Sequence, residues 1–207
     1  MITRIKLIAL LVLVGSIFSS CTKDSDVEFP TLKNVYFTES FDGGVNSPAL
    51  PSGWTAYAQT GTTVWSSGVF PGDPNNGYAF LNGYSTQSSA PAQLNSWLIS
   101  PEINMDAVEG EQLSFQTCHS KYVNTTTNII ELYISTNYNG SNFSTANWTK
   151  TNYTTTLPDP LTKAYVYVNS GAIDLSRYTG NLHFAFKYIG VPAVSGTYQI
   201  DNIRIVY

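Results

Sequence analysis

The sequence predicts an all-β domain, a two-sheet β-sandwich or jelly roll, and three observations carry that expectation. The 14 Tyr, 10 Phe and 4 Trp residues, spread among Thr and Val, suit pleated sheets. The Ala/Glu/Lys/Leu-rich composition of long helices is missing. Apolar residues recur with period two in short runs closed by Gly, Pro or Asn, and no 3.6 period stands out beyond the first twenty residues. Strands are expected at 34–41, 53–58, 64–66, 78–82, 96–100, 112–121 and 129–135, then at 148–154, 164–169, 181–189 and 198–206. Two runs show the pattern well. Leu182, Phe184, Phe186 and Tyr188 share one face while His183, Ala185 and Lys187 share the other. Ile200, Ile203 and Ile205 break the alternation once, which predicts an irregularity between them. Many short strands separated by turn residues make two packed sheets, and 207 residues suffice for one such core.

Charge excludes one class of function. Charged residues make up 12% of the chain, against roughly 25% in ordinary soluble domains. The 10 Lys+Arg are outnumbered by 14 Asp+Glu, so no basic stripe exists to neutralise phosphates and nucleic acid is not an expected partner.

Residues 1–20 read as an export signal: Arg4 and Lys6 supply the positive start, and residues 7–18 form an apolar stretch too short to span a bilayer comfortably. It ends in Phe18-Ser19-Ser20-Cys21, which resembles the lipobox of bacterial lipoproteins, with Phe18 where that pattern usually has Leu. The resemblance implies lipidation of Cys21 and a membrane anchor. The following Thr22-Lys23-Asp24-Ser25-Asp26 resembles the acidic signal that sends lipoproteins of the Bacteroidetes to the outer face of the outer membrane. A plain secretory signal ending near a cysteine is the alternative. Residues 21–33 read as a flexible tether and 34–207 as the folded domain.

Removal of residues 1–20 takes away Arg4 and Lys6, leaving 8 basic against 14 acidic residues and a formal net charge of −6. If Cys21 is acylated, Cys118 has no disulfide partner and the domain relies on its core. Cys118 falls in the alternating run Leu113-Ser114-Phe115-Gln116-Thr117-Cys118 and reads as a small buried strand residue. A Cys21–Cys118 disulfide is the competing reading.

Several motifs occur in a fixed order: Phe37-Thr38-Glu39-Ser40-Phe41, Leu50-Pro51-Ser52-Gly53-Trp54, Trp97-Leu98-Ile99-Ser100-Pro101-Glu102-Ile103 and Leu132-Tyr133-Ile134-Ser135-Thr136-Asn137-Tyr138-Asn139-Gly140. Ile173-Asp174-Leu175-Ser176-Arg177-Tyr178, Phe184-Ala185-Phe186-Lys187-Tyr188 and Gln199-Ile200-Asp201-Asn202-Ile203 follow. Together they resemble the choice-of-anchor J domains, related to the cleaved adhesin domains of gingipain-type surface proteins, over residues 34–207. The resemblance implies a jelly-roll β-sandwich, often calcium-bound, on bacterial surfaces in adhesion or glycan binding. It implies no activity.

The resemblance also points to a calcium site in which a carboxylate of the first strand, Glu39, meets one of the last, Asp201, with Asp42 as a further ligand and backbone carbonyls completing an oxygen shell. Ordinary strand-end carboxylates accepting backbone hydrogen bonds are the alternative. Related domains carry a second, Asp-rich loop after the Gly-Trp motif. Here Tyr57-Ala58-Gln59-Thr60-Gly61-Thr62-Thr63 holds no carboxylate, and no second site is expected. Asp73-Pro74-Asn75-Asn76-Gly77 lacks the spaced acids of a calcium hand and reads as a turn.

Catalytic signatures are sparse. No Gly-x-Ser-x-Gly elbow occurs, and adjacent Cys118 and His119 in a strand point to opposite faces. His119 and His183 read as structural, and no His/Cys cluster suggests zinc. The expectation is a non-enzymatic binding domain whose partner is carbohydrate, or a surface or host protein. A glycan-active hydrolase on the same fold and a structural subunit of a surface complex are the alternatives. Aromatic rings stack on sugar faces while neutral amides and hydroxyls bond to sugar hydroxyls. The candidate contact residues are Trp65, Phe70, Tyr84, Tyr138 and Tyr153, whereas Trp54, Trp97 and Trp148 read as core. Five Asn-x-Ser/Thr sequons, at Asn124, Asn139, Asn142, Asn147 and Asn152, reflect an Asn/Thr-rich chain.

Overall fold

A computed structural model describes residues 32–44, 48–120 and 128–207. The signal segment, Cys21, most of the tether, Lys121 and the Asn124 sequon lie outside the described residues. No described helix is long and apolar enough to cross a membrane.

Among the described residues, thirteen strands form two antiparallel sheets. They are β1 (Val35–Glu39), β2 (Thr55–Thr60), β3 (Ser66–Phe70), β4 (Asp73–Asn82), β5 (Leu94–Ile99), β6 (Ile103–Asn104) and β7 (Gln112–Ser120). β8 (Ile129–Ser135), β9 (Thr149–Thr151), β10 (Val168–Asn169), β11 (Ile173–Asp174), β12 (Asn181–Gly190) and β13 (Thr197–Val206) complete the set. The seven-stranded sheet runs β10-β7-β13-β4-β3, with β1 on β13 and β11 on β7. The six-stranded sheet runs β2-β5-β12-β8-β9, with β6 on β12. The fold is the expected all-β two-sheet jelly-roll sandwich.

The inward stripe of β12, Leu182, Phe184, Phe186 and Tyr188, is fully buried against Leu113, Phe115, Ile200, Ile203 and Ile205 of the opposite sheet. Phe115 and Phe186 meet edge-on at 4.7 Å between centroids, as do Trp54 and Phe184 at 5.8 Å. Such contacts add to the area buried.

β13 is the organising strand. One edge pairs with β7 throughout; the other pairs with β4 through Thr197–Ile200 and with β1 through Ile203–Val206. The change of neighbour coincides with a register shift between Asp201 and Arg204, where Asn202 adopts φ 49°. This bulge is the irregularity expected from the isoleucine spacing: one extra residue flips the parity, so Ile200 and Ile203 both face inward.

Several boundaries differ from the sequence reading. The strand expected at 64–66 begins at Ser66, 164–169 contracts to β10, and 148–154 to β9. The stretch 73–77, read as a turn, opens β4; the turn is Pro71-Gly72, with Gly72 at φ 88°. Val69 pairs with Gly77 and Phe70 with Asp73, so 74–76 bulge from the ladder, and the Asp73 carboxylate accepts the Asn75 amide there. The turn chemistry is used, but inside a strand.

A second apolar cluster lies on the outer face of the six-stranded sheet. Trp97, Ile99, Tyr138 and Ala185 are buried beneath the segment 136–148, with Tyr133, Phe143, Ala146 and Trp148 packed on them. Asn137, Asn139 and Asn142 hold that segment by side-chain bonds to its backbone, including Asn142 Nδ2 to the Asn137 carbonyl at 2.9 Å and the Asn147 amide to Asn137 Oδ1 at 2.8 Å.

Candidate functional site

Two features lie along β13 and its neighbours in the seven-stranded sheet. The first is an acidic cluster where β13 changes neighbour. Glu39 ends β1 opposite Ile203, Asp42 follows in a short 3-10 turn, and Asp201 lies at the bulge. Glu39 accepts the Phe41 amide at 2.7 Å and the Trp54 indole N–H at 3.0 Å. Asp42 accepts the Ser40 hydroxyl at 2.7 Å and the Gly77 amide at 2.8 Å. Asp201 accepts the Asn202 backbone amide and, at 3.1 Å, the Asn202 side-chain amide. Burial pushes the Asp201 carboxyl up to about 6, against the Asn202 amide, and the negative charges of Asp42 and Glu39 push the same way. The structure thus brings Glu39 and Asp42 within electrostatic reach of Asp201. Hard carboxylate oxygens suit calcium. They do not close on one point: among the described residues no group of three or more His, Cys, Asp or Glu could hold a metal ion.

The second feature is an aromatic and amide surface. Along β4 the buried residues Ala79 and Leu81 alternate with half-buried Tyr78 and Phe80, which therefore face outward. Phe70 stands edge-on to Tyr78 at 4.9 Å and reaches Tyr167 at 5.9 Å, and Tyr78 meets Phe80 at 5.9 Å. Gly68, beside them on β3, has no side chain to lift these rings: a Cβ there would lie 2.9 Å from Tyr78 and 3.2 Å from Phe80. Gln199 lies between the rings and β7. Its Oε1 accepts the Tyr167 hydroxyl at 2.7 Å and the Cys118 thiol at 3.2 Å. Burial drives the Cys118 thiol up to about 12, so it serves as a neutral donor. Toward the bulge, Gln116 Nε2 donates to Asn169 Oδ1 at 3.2 Å and Asn202 Nδ2 to Gln116 Oε1 at 3.0 Å. These amides border a shallow pocket of about 280 Å³ that Ser114 and Arg204 also line.

Of the sequence candidates, Phe70 belongs to this surface. Trp65 does not: it immediately precedes β3, is 2% exposed, and donates its indole N–H to the Ser96 carbonyl inside the core. Tyr138 is buried under its own Asn-rich segment against Trp148 and His183. Tyr153 packs edge-on to Phe115 and gives its hydroxyl to the Ile130 carbonyl, so its ring serves the core. Tyr84 is exposed just beyond β4 and joins no aromatic cluster. Loop position alone made these four look alike; long-range packing separates them. Tyr78, Phe80 and Tyr167 were missed as contact residues, although the alternation of Tyr78 and Phe80 with Ala79 and Leu81 was visible in the sequence.

Residues 102–206 match the family described as "Domain of unknown function (DUF5017)". The chain belongs to the DUF5017 family. No curated protein matches this DUF5017 chain. Its fold is similar to the K1 cleaved adhesin domain of Lys-gingipain from Porphyromonas gingivalis W83, with TM-score 0.53 and 19% identity over 82% of this chain and 96% of that one. The K3 cleaved adhesin domain of the same protein is similar at TM-score 0.52 and 19% identity, over 83% and 98%. A structure reported for carbohydrate-binding modules of the β-sandwich superfamily is similar at TM-score 0.50 and 14% identity, over 86% of this chain and 64% of that one. These likenesses show a shared sandwich fold.

Proposed function

We propose that this DUF5017 chain is a non-catalytic carbohydrate-binding protein, exported and held at the bacterial cell surface through a lipid on Cys21. The carrying observation is the strip of Phe70, Tyr78, Phe80 and Tyr167 on the outer face of the seven-stranded sheet, continuous with Gln116, Asn169 and Asn202. Rings of this kind stack on the apolar face of a pyranose, and neighbouring amides bond to its hydroxyls without a net charge. Similarity in fold to cleaved adhesin and carbohydrate-binding domains supports the reading. The lipobox-like Phe18-Ser19-Ser20-Cys21 supports the anchor.

The same proposal includes calcium at Glu39, Asp42 and Asp201, whose binding would have to draw together carboxylates that do not converge on one point in this structure. The ion would offset the burial that chiefly raises the Asp201 carboxyl and the lesser repulsion from Asp42 and Glu39, and so brace the end of β1 against the bulge of β13 beside the aromatic strip. Ordinary binding-module chemistry needs no acid–base pair, so the carboxylates act here through charge and hydrogen bonding.

A glycan array probed with the purified chain, with and without a chelator, tests this. Binding that Tyr78→Ala abolishes supports it. Silence on every glycan overturns the carbohydrate reading in favour of a protein partner, and turnover of any glycan overturns the non-catalytic one. Mass spectrometry of the native protein tests for acyl groups on Cys21.

A further inference from the structure

Away from the aromatic strip, a pocket of about 520 Å³ is walled by Met105, Asp106, Glu109, Glu111, Ser176 and Tyr178, among others. Glu111, immediately before β7, is 2% exposed, and its Oε1 has no hydrogen-bond partner among the described residues. A buried carboxylate oxygen without a donor is costly, because the water it lost has not been replaced. Asp106 shares the wall; one of its oxygens accepts the Gly180 amide at 2.8 Å. Glu109 shares it too and is exposed. No Lys, Arg or His is among the described residues that line it. A nearby cation, Arg177, lies against a wall residue, its guanidinium 4.9 Å from the Tyr178 ring centroid and bonded to the Tyr178 hydroxyl at 2.9 Å.

Three acids against Arg177, itself occupied by Tyr178, leave a negative excess that favours a cation, and size decides which kind. A water occupies roughly 30 Å³, so this pocket has room for many waters and is far larger than a bare metal ion requires. The wall also carries the Met105 and Val108 side chains and the Tyr178 ring, apolar surface that a hydrated ion cannot use but the methylene stem of a long basic side chain can. We infer that this pocket receives the guanidinium or ammonium of an arginine or lysine from a partner protein, with Glu111 as the buried acceptor and Asp106 and Glu109 flanking it. This second site is independent of the carbohydrate reading.

The test is titration of the full-length chain, followed by amide chemical shifts, with Nα-acetyl-arginine methylamide and Nα-acetyl-lysine methylamide. Nα-acetyl-citrulline methylamide is the neutral isostere; glucosamine and calcium chloride are the competing cations. Shifts centred on Glu111 and Tyr178 with the arginine or lysine probe, absent with citrulline, are expected. Glu111→Gln should weaken that binding about tenfold or more, because the acceptor carboxylate is replaced by a neutral amide. Glu109→Gln, at an exposed position, should weaken binding without changing stability. The inference is overturned if citrulline binds as well as arginine, if calcium or glucosamine alone perturbs the pocket, or if Glu111→Gln leaves binding intact.

Discussion

The Gly77 amide donates to Asp42 Oδ1 at 2.8 Å, and Gly77 stands so close to the preceding turn that a Cβ on it would lie 2.1 Å from the Phe41 carbonyl oxygen. The acidic turn after β1 is therefore seated on β4 by a residue that cannot carry a side chain. Gly77→Ala is expected to push this turn off β4 and to cost about 1–3 kcal/mol, the usual penalty of overpacking. Urea denaturation measures the loss. Calcium affinity, if the cluster binds the ion, should fall with it, because Asp42 moves.

Asp201 makes stability depend on pH in a direction opposite to that of most carboxylates. Its folded pKa, about 6, lies above the ordinary aspartate value of 3.8, so the folded state holds the proton more tightly. Its contribution is fully present below about pH 4 and is lost as the pH rises through about 6, on the order of 1–2 kcal/mol after solvent screening. Urea midpoints between pH 4 and 7 should show this component, and Asp201→Asn should flatten it. Calcium in excess should also flatten it, by stabilising the charged form; a slope untouched by calcium would count against a metal at this cluster.

The aromatic strip should bind through its rings individually. Tyr78→Ala is expected to weaken binding of any array-positive glycan roughly two- to tenfold, the worth of an aromatic contact of about 0.5–1.5 kcal/mol, as calorimetry would measure. Gly68→Val should weaken it as well, since a side chain there displaces both Tyr78 and Phe80. Tyr167→Phe removes one donor to Gln199 and should cost about 0.5–1.5 kcal/mol of stability.

Cys118 should be inert in the native chain. It is fully buried, and burial pushes its thiol to about 12. At pH 8 a thiol reagent should label it only after denaturant is added. Rapid native labelling would show that the Gln199 and Tyr167 cover opens readily.

The hydrophobic alternation of β12 and the broken alternation of β13 were legible in the sequence because strand facing is local: every second residue faces the same way whatever the neighbouring strand is. The isoleucine spacing predicted the bulge at Asp201 for the same reason. Glu39, Asp42 and Asp201 were paired through a family resemblance, since nothing in local periodicity relates residues so far apart in sequence. The contraction of 164–169 to Val168–Asn169 was not legible: its alternating tyrosines and valines look like a strand, yet Tyr165 adopts φ 57° and Tyr167 turns onto Gln199.

By itself, the order of residues determined that the domain is a sandwich and which faces of its strongest strands are apolar, because burial of every second side chain follows from the pleat. Tertiary structure alone decided which aromatics are available to a ligand. Trp65 and Tyr138 vanish into apolar clusters, while Tyr78 and Phe80 stay half-open over Gly68. It also decided that Glu111 ends up buried with no hydrogen-bond donor on Oε1 among the described residues. Exposure depends on which distant segment lies across a face, and chain closure over tens of residues leaves no periodic mark in the sequence.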